Sequence, residues 1–408
     1  LLCVLFVSGS VFAAANWPQW RGPDRSDLSK ETGLLKKWPA AGPPVVWMNK
    51  DAGLGYAGFA VVGDTLYTMG SRAGSEQLIA LNLKDGSEKW MAEIGKTYGN
   101  KWGDGPRGTP SVDEKGGHVY TMGGQGNLIC AAIADGKIVW KASMKDLGGG
   151  TPGWGYCESV LVDGDNVICT PGGNKGAIAA LNKTTGAVVW QSKDFTDGAQ
   201  YASIIPAQIN GTAQYVQLTT KNVVGIDAKS GALLWKAGFP GSTAVIPTPI
   251  VSGNRVYVTA GYGAGCKLIE IGEGNKVTEI YANKTMVNHH GGVVLLGDHL
   301  YGFSDGKGWV CQDFKTGDMV WNDKKLGKGA IGYADGMLYL LDESSGTVAL
   351  IEASPEAYKE VSRFKLTPQT TQRSRDGRIW THPVITDGKL YLRDQELLFC
   401  FDVKSKTN

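Results

Sequence analysis

Neither sign of charge dominates this chain: 41 Lys and Arg stand against 39 Asp and Glu. Such a balance supplies no long-range field, so neither a phosphate backbone nor an anionic membrane is implied as partner. Among the seven cysteines there is no C-x-x-C and no adjacent pair, which removes zinc ribbons, thioredoxin-like redox motifs and covalent c-type haem. Prolines are few, 16 in 408 residues, and the glycines show no period of three, which excludes collagen. Long apolar runs are missing too. The one apolar stretch, Leu1 to Phe12, is shorter than the ~20 residues a membrane-spanning helix needs.

That stretch runs into Ala13-Ala14-Ala15, the small-residue pattern of a signal-peptide cleavage site. Residues 1–15 are therefore expected to be an export signal, N-terminally incomplete because no Met or basic residues precede the apolar run. The expected location is periplasmic or secreted. No nucleic-acid partner and no transmembrane segment are expected, and the mature protein is expected to be a monomer.

Glycine, in contrast, is abundant, at 58 residues, and accompanies 13 Trp and 15 Tyr. This composition fits many short strands joined by tight turns. One phrase recurs, a strand, a Gly/Asp turn and a strand closed by an aromatic residue: ALNLKDGSEKW to Trp90, AAIADGKIVW to Trp140, ALNKTTGAVVW to Trp190, GIDAKSGALLW to Trp235 and CQDFKTGDMVW to Trp321. Weaker copies end at Tyr281 and Phe364, while Trp47 closes an orphan strand, PVVW, and the last unit, His382 to Val403, has no closing aromatic. Repeats of 40 to 50 residues with four short strands each are the signature of propeller blades. The expectation is an all-β, eight-bladed propeller over residues 45–403, closed by Val45 to Trp47 pairing into the C-terminal blade. Residues 16–44 are expected to cross the surface with Trp17 and Trp20 buried, and 404–408 to form a tail.

The Trp-ending repeats make the chain resemble the PQQ-like, quinoprotein-type repeat propellers, the superfamily that includes the scaffold BamB and quinoprotein alcohol dehydrogenases. WPQWRGP at 17–23, GDGPRGTP at 103–110, NHHGG at 288–292 and SDGKGW at 304–309 look like its polyvinyl-alcohol-dehydrogenase-like bacterial branch. The resemblance implies two functions of different class. One is a propeller binding a small ligand or a protein partner; the other is an alcohol or polyol dehydrogenase dependent on PQQ with Ca²⁺. For the second, Trp154, Trp309 and Trp380 would be stacking platforms, and Glu158, Asn288 and Asp305 ligands or bases.

Labelling each unit's strands A to D from the inside outwards, the A-to-B and C-to-D turns are tight Gly/Asp/Asn hairpins and share one face. The opposite face carries the long, dissimilar loops, where function concentrates. The candidate ligand-binding residues on that rim are Arg107, Glu158, Tyr201, Asn288, His289, His290, Asp305, Lys307, Trp309, Trp380 and His382, with Glu158 and Asp305 the candidate catalytic carboxylates. No metal site is expected. Adjacent His289 and His290 would point to opposite sides of a strand, so both entering the channel is not expected. The cysteines are expected to be unpaired: Cys130, Cys311 and Cys400 occupy equivalent strands of different blades, and Cys157 and Cys169 are out of register.

Overall fold

The computed structural model describes residues 16–405 apart from Ser242; the export signal assigned to 1–15 lies outside the described residues. Eight antiparallel sheets of four strands, one of them with an added fifth, form the blades of a propeller. Blade one runs from its inner strand Ala60–Val62 to its outer strand Glu88–Lys96. Blade eight contains Val384–Thr386, Lys389–Asp394 and Leu397–Asp402, and its outer strand is Val45–Asn49 from the other end of the chain. That pairing is antiparallel with Trp47 opposite Cys400, so the ring closes as expected and leaves no blade incomplete.

The recurring Gly and Trp have one joint physical cause. Each C-to-D turn needs a left-handed residue, supplied by Gly86, Gly136, Gly186 and Gly231 at φ of 72° to 76°. Against each glycine lies the closing tryptophan of the preceding blade: a Cβ would approach Trp47, Trp90, Trp140 and Trp190 to between 2.4 and 2.8 Å. The indole N–H of Trp47, Trp90 and Trp140 donates to the carbonyls of Leu83, Ile133 and Lys183 in that same next turn. An Asx side chain caps the turns, Asn182 Oδ1 accepting from the amides of Thr184 and Thr185, and Asp227 Oδ1 from those of Lys229 and Ser230. The repeat is thus the signature of an inter-blade joint as well as of a strand pattern. Where blade five replaces the turn with a short 3-10 segment at Glu273–Asn275, the preceding Trp235 turns back to Gln214 of its own blade.

Trp17 is buried as expected and residues 34–42 run outward over blades seven and eight, Leu35 donating to Val403 and Trp38 to Ser362, but residues 16–31 depart from the surface crossing expected of them. Asn16 begins on the plain-turn face, accepting from Gly63 and donating to Glu114, and the chain then dips into the central channel. Trp17 bridges Val61 of blade one, Pro18 accepts from Val112 of blade two, and Arg25 donates to the carbonyls of Ser159 and Val160 of blade three. Trp20 donates to Thr248 of blade five and Arg21 to the Val293 carbonyl of blade six. Leu28–Ser29 then adds a parallel strand to the inner edge of blade seven. Asp27 lies 3.2 Å from His382 of blade eight. Glu31, accepting from Asp387 and Gly388, marks the return to the plain-turn face. Contacts to the inner edges of seven blades mean that the segment fills one end of the channel. Arg21, Arg25 and Asp27 are all at most 3% exposed, and the burial is offset by the Arg21–Asp27 ion pair and by inner-strand carbonyls that accept from the guanidiniums.

Six described cysteines are buried and unpaired. In blade three Val162 faces Val167 and Cys169 faces Ala179, the register that keeps Cys157 and Cys169 apart. Among the described residues no helix is long and apolar enough to cross a membrane.

Candidate functional site

Above the channel segment lies a cavity of about 370 Å³ that opens toward the long-loop face. Trp20 belongs to its wall together with D-to-A connections from around the ring, so the inserted segment is the floor of a cup. The walls are dominated by aromatic rings: Tyr56, Trp102, Trp154, Tyr201, Tyr262 and Trp380. Trp154 and Tyr201 are stacked on one another with ring centroids 5.3 Å apart and planes 25° apart.

Six of the eleven sequence candidates converge here: Arg107, Tyr201, His289, His290, Trp380 and His382 all line the cup. Both adjacent histidines reach it because they sit in the irregular connection before the strand Val293–Leu296 rather than in the strand itself, so the alternation argument does not apply to them. The other five do not line it. Glu158 is 2% exposed and turned away between blades, its carboxylate accepting from the Thr170 amide and hydroxyl and from Gln217. Its neighbours Cys157 and Ser159 take the lining positions instead. Burial pushes the Glu158 carboxyl up to about 7. Asn288 is fully buried and donates to the carbonyls of Gly292 and Phe303. Trp309 is a core residue, 2% exposed, packed on Phe303 and donating to Gly327. Lys307 donates to the Lys284 carbonyl. Asp305 pairs with Lys328 at 2.7 Å, and that ammonium lies 2.6 Å from His289 Nδ1, so Asp305 acts on the cup through another residue.

Two walls of different chemistry face each other. On the first, the Arg107 guanidinium is sandwiched near Tyr98 and Tyr56 at 4.9 and 5.8 Å from the ring centroids. It donates to the carbonyls of Gly103 and Gly105 and has no carboxylate partner. On the second wall, Glu343 Oε2 accepts from the Trp380 indole at 2.8 Å and lies 3.2 Å from His290 Nε2. His290 is 8% exposed, and although close to Glu343 its ring is not aligned to hydrogen-bond it, leaving both ring nitrogens without a partner. Burial pushes His289 down to about 4, with the charge of Lys328 adding to the effect. His290 falls well below the ordinary histidine range, first through burial and then through its neighbour His289. Both imidazoles are neutral at pH 7. Burial also raises the Glu343 carboxyl.

Several lining residues escaped the sequence reading. Trp102 and Arg378 sit in D-to-A connections and share the signal that found Arg107 and Trp380. Trp20 carried no such signal, because the insertion of its segment is a tertiary event.

The profile of the family PQQ_2, described as outer membrane protein assembly factor BamB, matches residues 45–151 and 99–323. No curated protein matches the chain in sequence. Among solved structures, BamB from Moraxella catarrhalis is 17% identical with a TM-score of 0.63, covering 90% of this chain and all of its own. The quinohemoprotein alcohol dehydrogenase ADHIIG from Pseudomonas putida HK5 is 12% identical with a TM-score of 0.61, over 97% of this chain and 81% of its own. The computationally designed protein Ika8 is 10% identical with a TM-score of 0.62, over 88% of this chain and 100% of its own. At these identities the likenesses establish the fold.

Proposed function

The chain belongs to the PQQ_2 family of BamB-like repeat propellers, and from that membership we propose that it is an exported binding propeller that captures a small ligand in the floored end of its channel. The observation that carries this reading is the cup itself. A concave, largely aromatic cavity of about 370 Å³ with a few convergent polar groups is the usual form of a small-molecule site. The apolar leader and the family's description as an outer membrane assembly factor support a periplasmic or secreted location. A protein partner on the same rim is favoured by one feature, the exposure of Trp102 and Tyr262, at 38% and 56%, since exposed aromatics are common interface anchors.

The quinone-dependent reading fits the residues less well. It asks for Ca²⁺ beside the quinone, yet among the described residues no group of three His, Cys, Asp or Glu is disposed to hold a metal ion. The lining carboxylate Glu343 accepts from the Trp380 indole. Glu158 and Asn288, the expected ligands, are turned into the core.

The test is a thermal-shift and tryptophan-fluorescence screen of the described chain against sugars, aromatic acids and PQQ with Ca²⁺. Hits are repeated on Ser203→Trp, which fills the cup. Loss of the response in the filled variant supports the reading, and an undiminished response overturns it. PQQ binding with dye-linked oxidation of alcohols would favour the dehydrogenase.

A further inference from the structure

Four of the ten arginines have no carboxylate within ion-pair distance, and they divide by location. Arg25 and Arg393 are buried and spend their donors on clusters of backbone carbonyls. Arg107 and Arg378 instead line the cup, half-buried, with only local carbonyls for company. The other cup carboxylate, Asp376, is taken by Arg375 at 3.1 Å. Among the described residues neither guanidinium forms an ion pair, although Glu76 lies within electrostatic reach of Arg107 and Glu343 and Asp376 within that of Arg378; guanidinium N–H groups free of a carboxylate in a partly water-excluded site suit an anion.

An independent observation concerns hydrogen bonds. His290 Nδ1 and Nε2 and the Trp154 indole N–H are buried on the lining and have no partner. The hydroxyls of Ser159 and Ser203 accept amide protons from Thr109 and Ser159 and each retain a proton to donate. A purely aromatic ligand would cover these groups and leave them unpaired, which is unfavourable. A ring carrying several hydroxyls would pair them, while its C–H faces lie against Trp154, Tyr201 and Trp380.

From these two observations we infer that the cup binds a carboxylated sugar ring, of the uronic- or sialic-acid class, its carboxylate meeting the unpaired guanidiniums of Arg107 and Arg378 and its hydroxyls meeting His290 and Trp154. The inference rests on the small-ligand reading above and specifies its chemistry. Neutral imidazoles suit it, since His290 accepts from a hydroxyl on one nitrogen and donates from the other.

The test is isothermal titration of the described chain with D-glucuronate, D-galacturonate, their dimers and N-acetylneuraminate, beside D-glucose, D-galactose and 2-naphthoate, with tryptophan quenching as local readout. At least one acidic sugar should bind at least about tenfold more tightly than its neutral counterpart. Arg378→Gln should reduce that ratio and steepen no other property. His290→Gln should weaken acidic and neutral sugars alike. Arg107 also braces its own loop, so Arg107→Lys, which keeps the charge, serves as the folding control for Arg107→Gln. Equal binding of neutral and acidic sugars overturns the inference, as does binding of naphthoate with no response to any sugar; in both cases the small-ligand reading stands. Silence of the cup toward every probe, with the folded state verified by circular dichroism, overturns both.

Discussion

The two ends of the channel are made from adjoining residues by opposite rules. At the floor, Arg21 meets Asp27 at 2.8 Å and the Val293 carbonyl, Arg25 sits on two carbonyls of blade three, and Asp27 also reaches His382. The floor tolerates backbone cost as well. Arg21, Arg25 and Asp27 have φ of 61°, 52° and 60°, the left-handed region that costs a non-glycine residue roughly 1 kcal/mol. At the mouth the unpaired atoms of His290 and Trp154 and the guanidiniums of Arg107 and Arg378 line a cavity, whereas Arg25 at the floor, also without an ion pair and with its Nε unpartnered, lines none. Satisfied polar groups hold a structure together, and unsatisfied ones at a cavity wall await something from outside. The difference teaches where to expect stability and where to expect recognition.

The largest effect should come from breaking the floor. Arg21→Met strands the buried Asp27 carboxylate and is expected to cost about 3–5 kcal/mol, read as a fall in Tm by calorimetry. A loss no greater than that of a mouth substitution would erase the distinction between the two ends. Next comes Glu158, which lies just behind the boundary between them. Its carboxyl is raised to about 7 in the folded protein, so folding takes up a proton between the ordinary carboxylate range and pH 7. The associated stability is present below that range and is lost as pH rises through about 7. Glu158→Gln should therefore raise Tm at pH 8, by the equivalent of about 1–3 kcal/mol, and change it little at pH 5. A uniform change across pH would contradict the assignment. His290 works in the other direction: its depressed value means stability held above the ordinary histidine range and lost as pH falls beneath it.

His290→Gln, at the mouth, is expected to alter stability at pH 7 by no more than about 1 kcal/mol while weakening ligand capture. Thermal melts and titrations on one preparation check both halves of that statement. The smallest effect belongs to Tyr262→Ala, at 56% exposure on the outer lip. Stability should stay within about 0.5 kcal/mol, and capture should weaken only through the lost edge contact with His289. A stability loss there comparable to that of Arg21→Met would mean that the lip, too, holds the ring together.

The division between floor and mouth also marks what could be read from the residues alone. Blade number, strand order and closure follow from local signals, because each Gly turn and each closing Trp recurs at its own spacing and depends on nearest neighbours only. The candidate rim was legible to the extent that side chains lie in D-to-A connections, which brought together Arg107, Tyr201, His289, His290, Trp380 and His382. Glu158 and Trp309 were placed at the rim by segment but face the core, because a one-residue change along an extended chain reverses direction. The burial of Trp17 was legible, but the dip of residues 16–31 into the channel was not. WPQWRGPDRSD has no period, and its burial depends on carbonyls contributed by blades hundreds of residues away.

One consequence of the closing strand concerns time rather than shape. Val45–Asn49 precedes the blades but pairs with Leu397–Asp402, and Leu28–Ser29 and Asp27 need Tyr333–Ala334 of blade seven and His382 of blade eight. During synthesis the first segment therefore has no seat until nearly the whole chain has emerged. The ring cannot latch until its last blade exists, and the loop of more than three hundred residues closes late and slowly. Residues 16–49 precede every complete blade in the chain and settle after them.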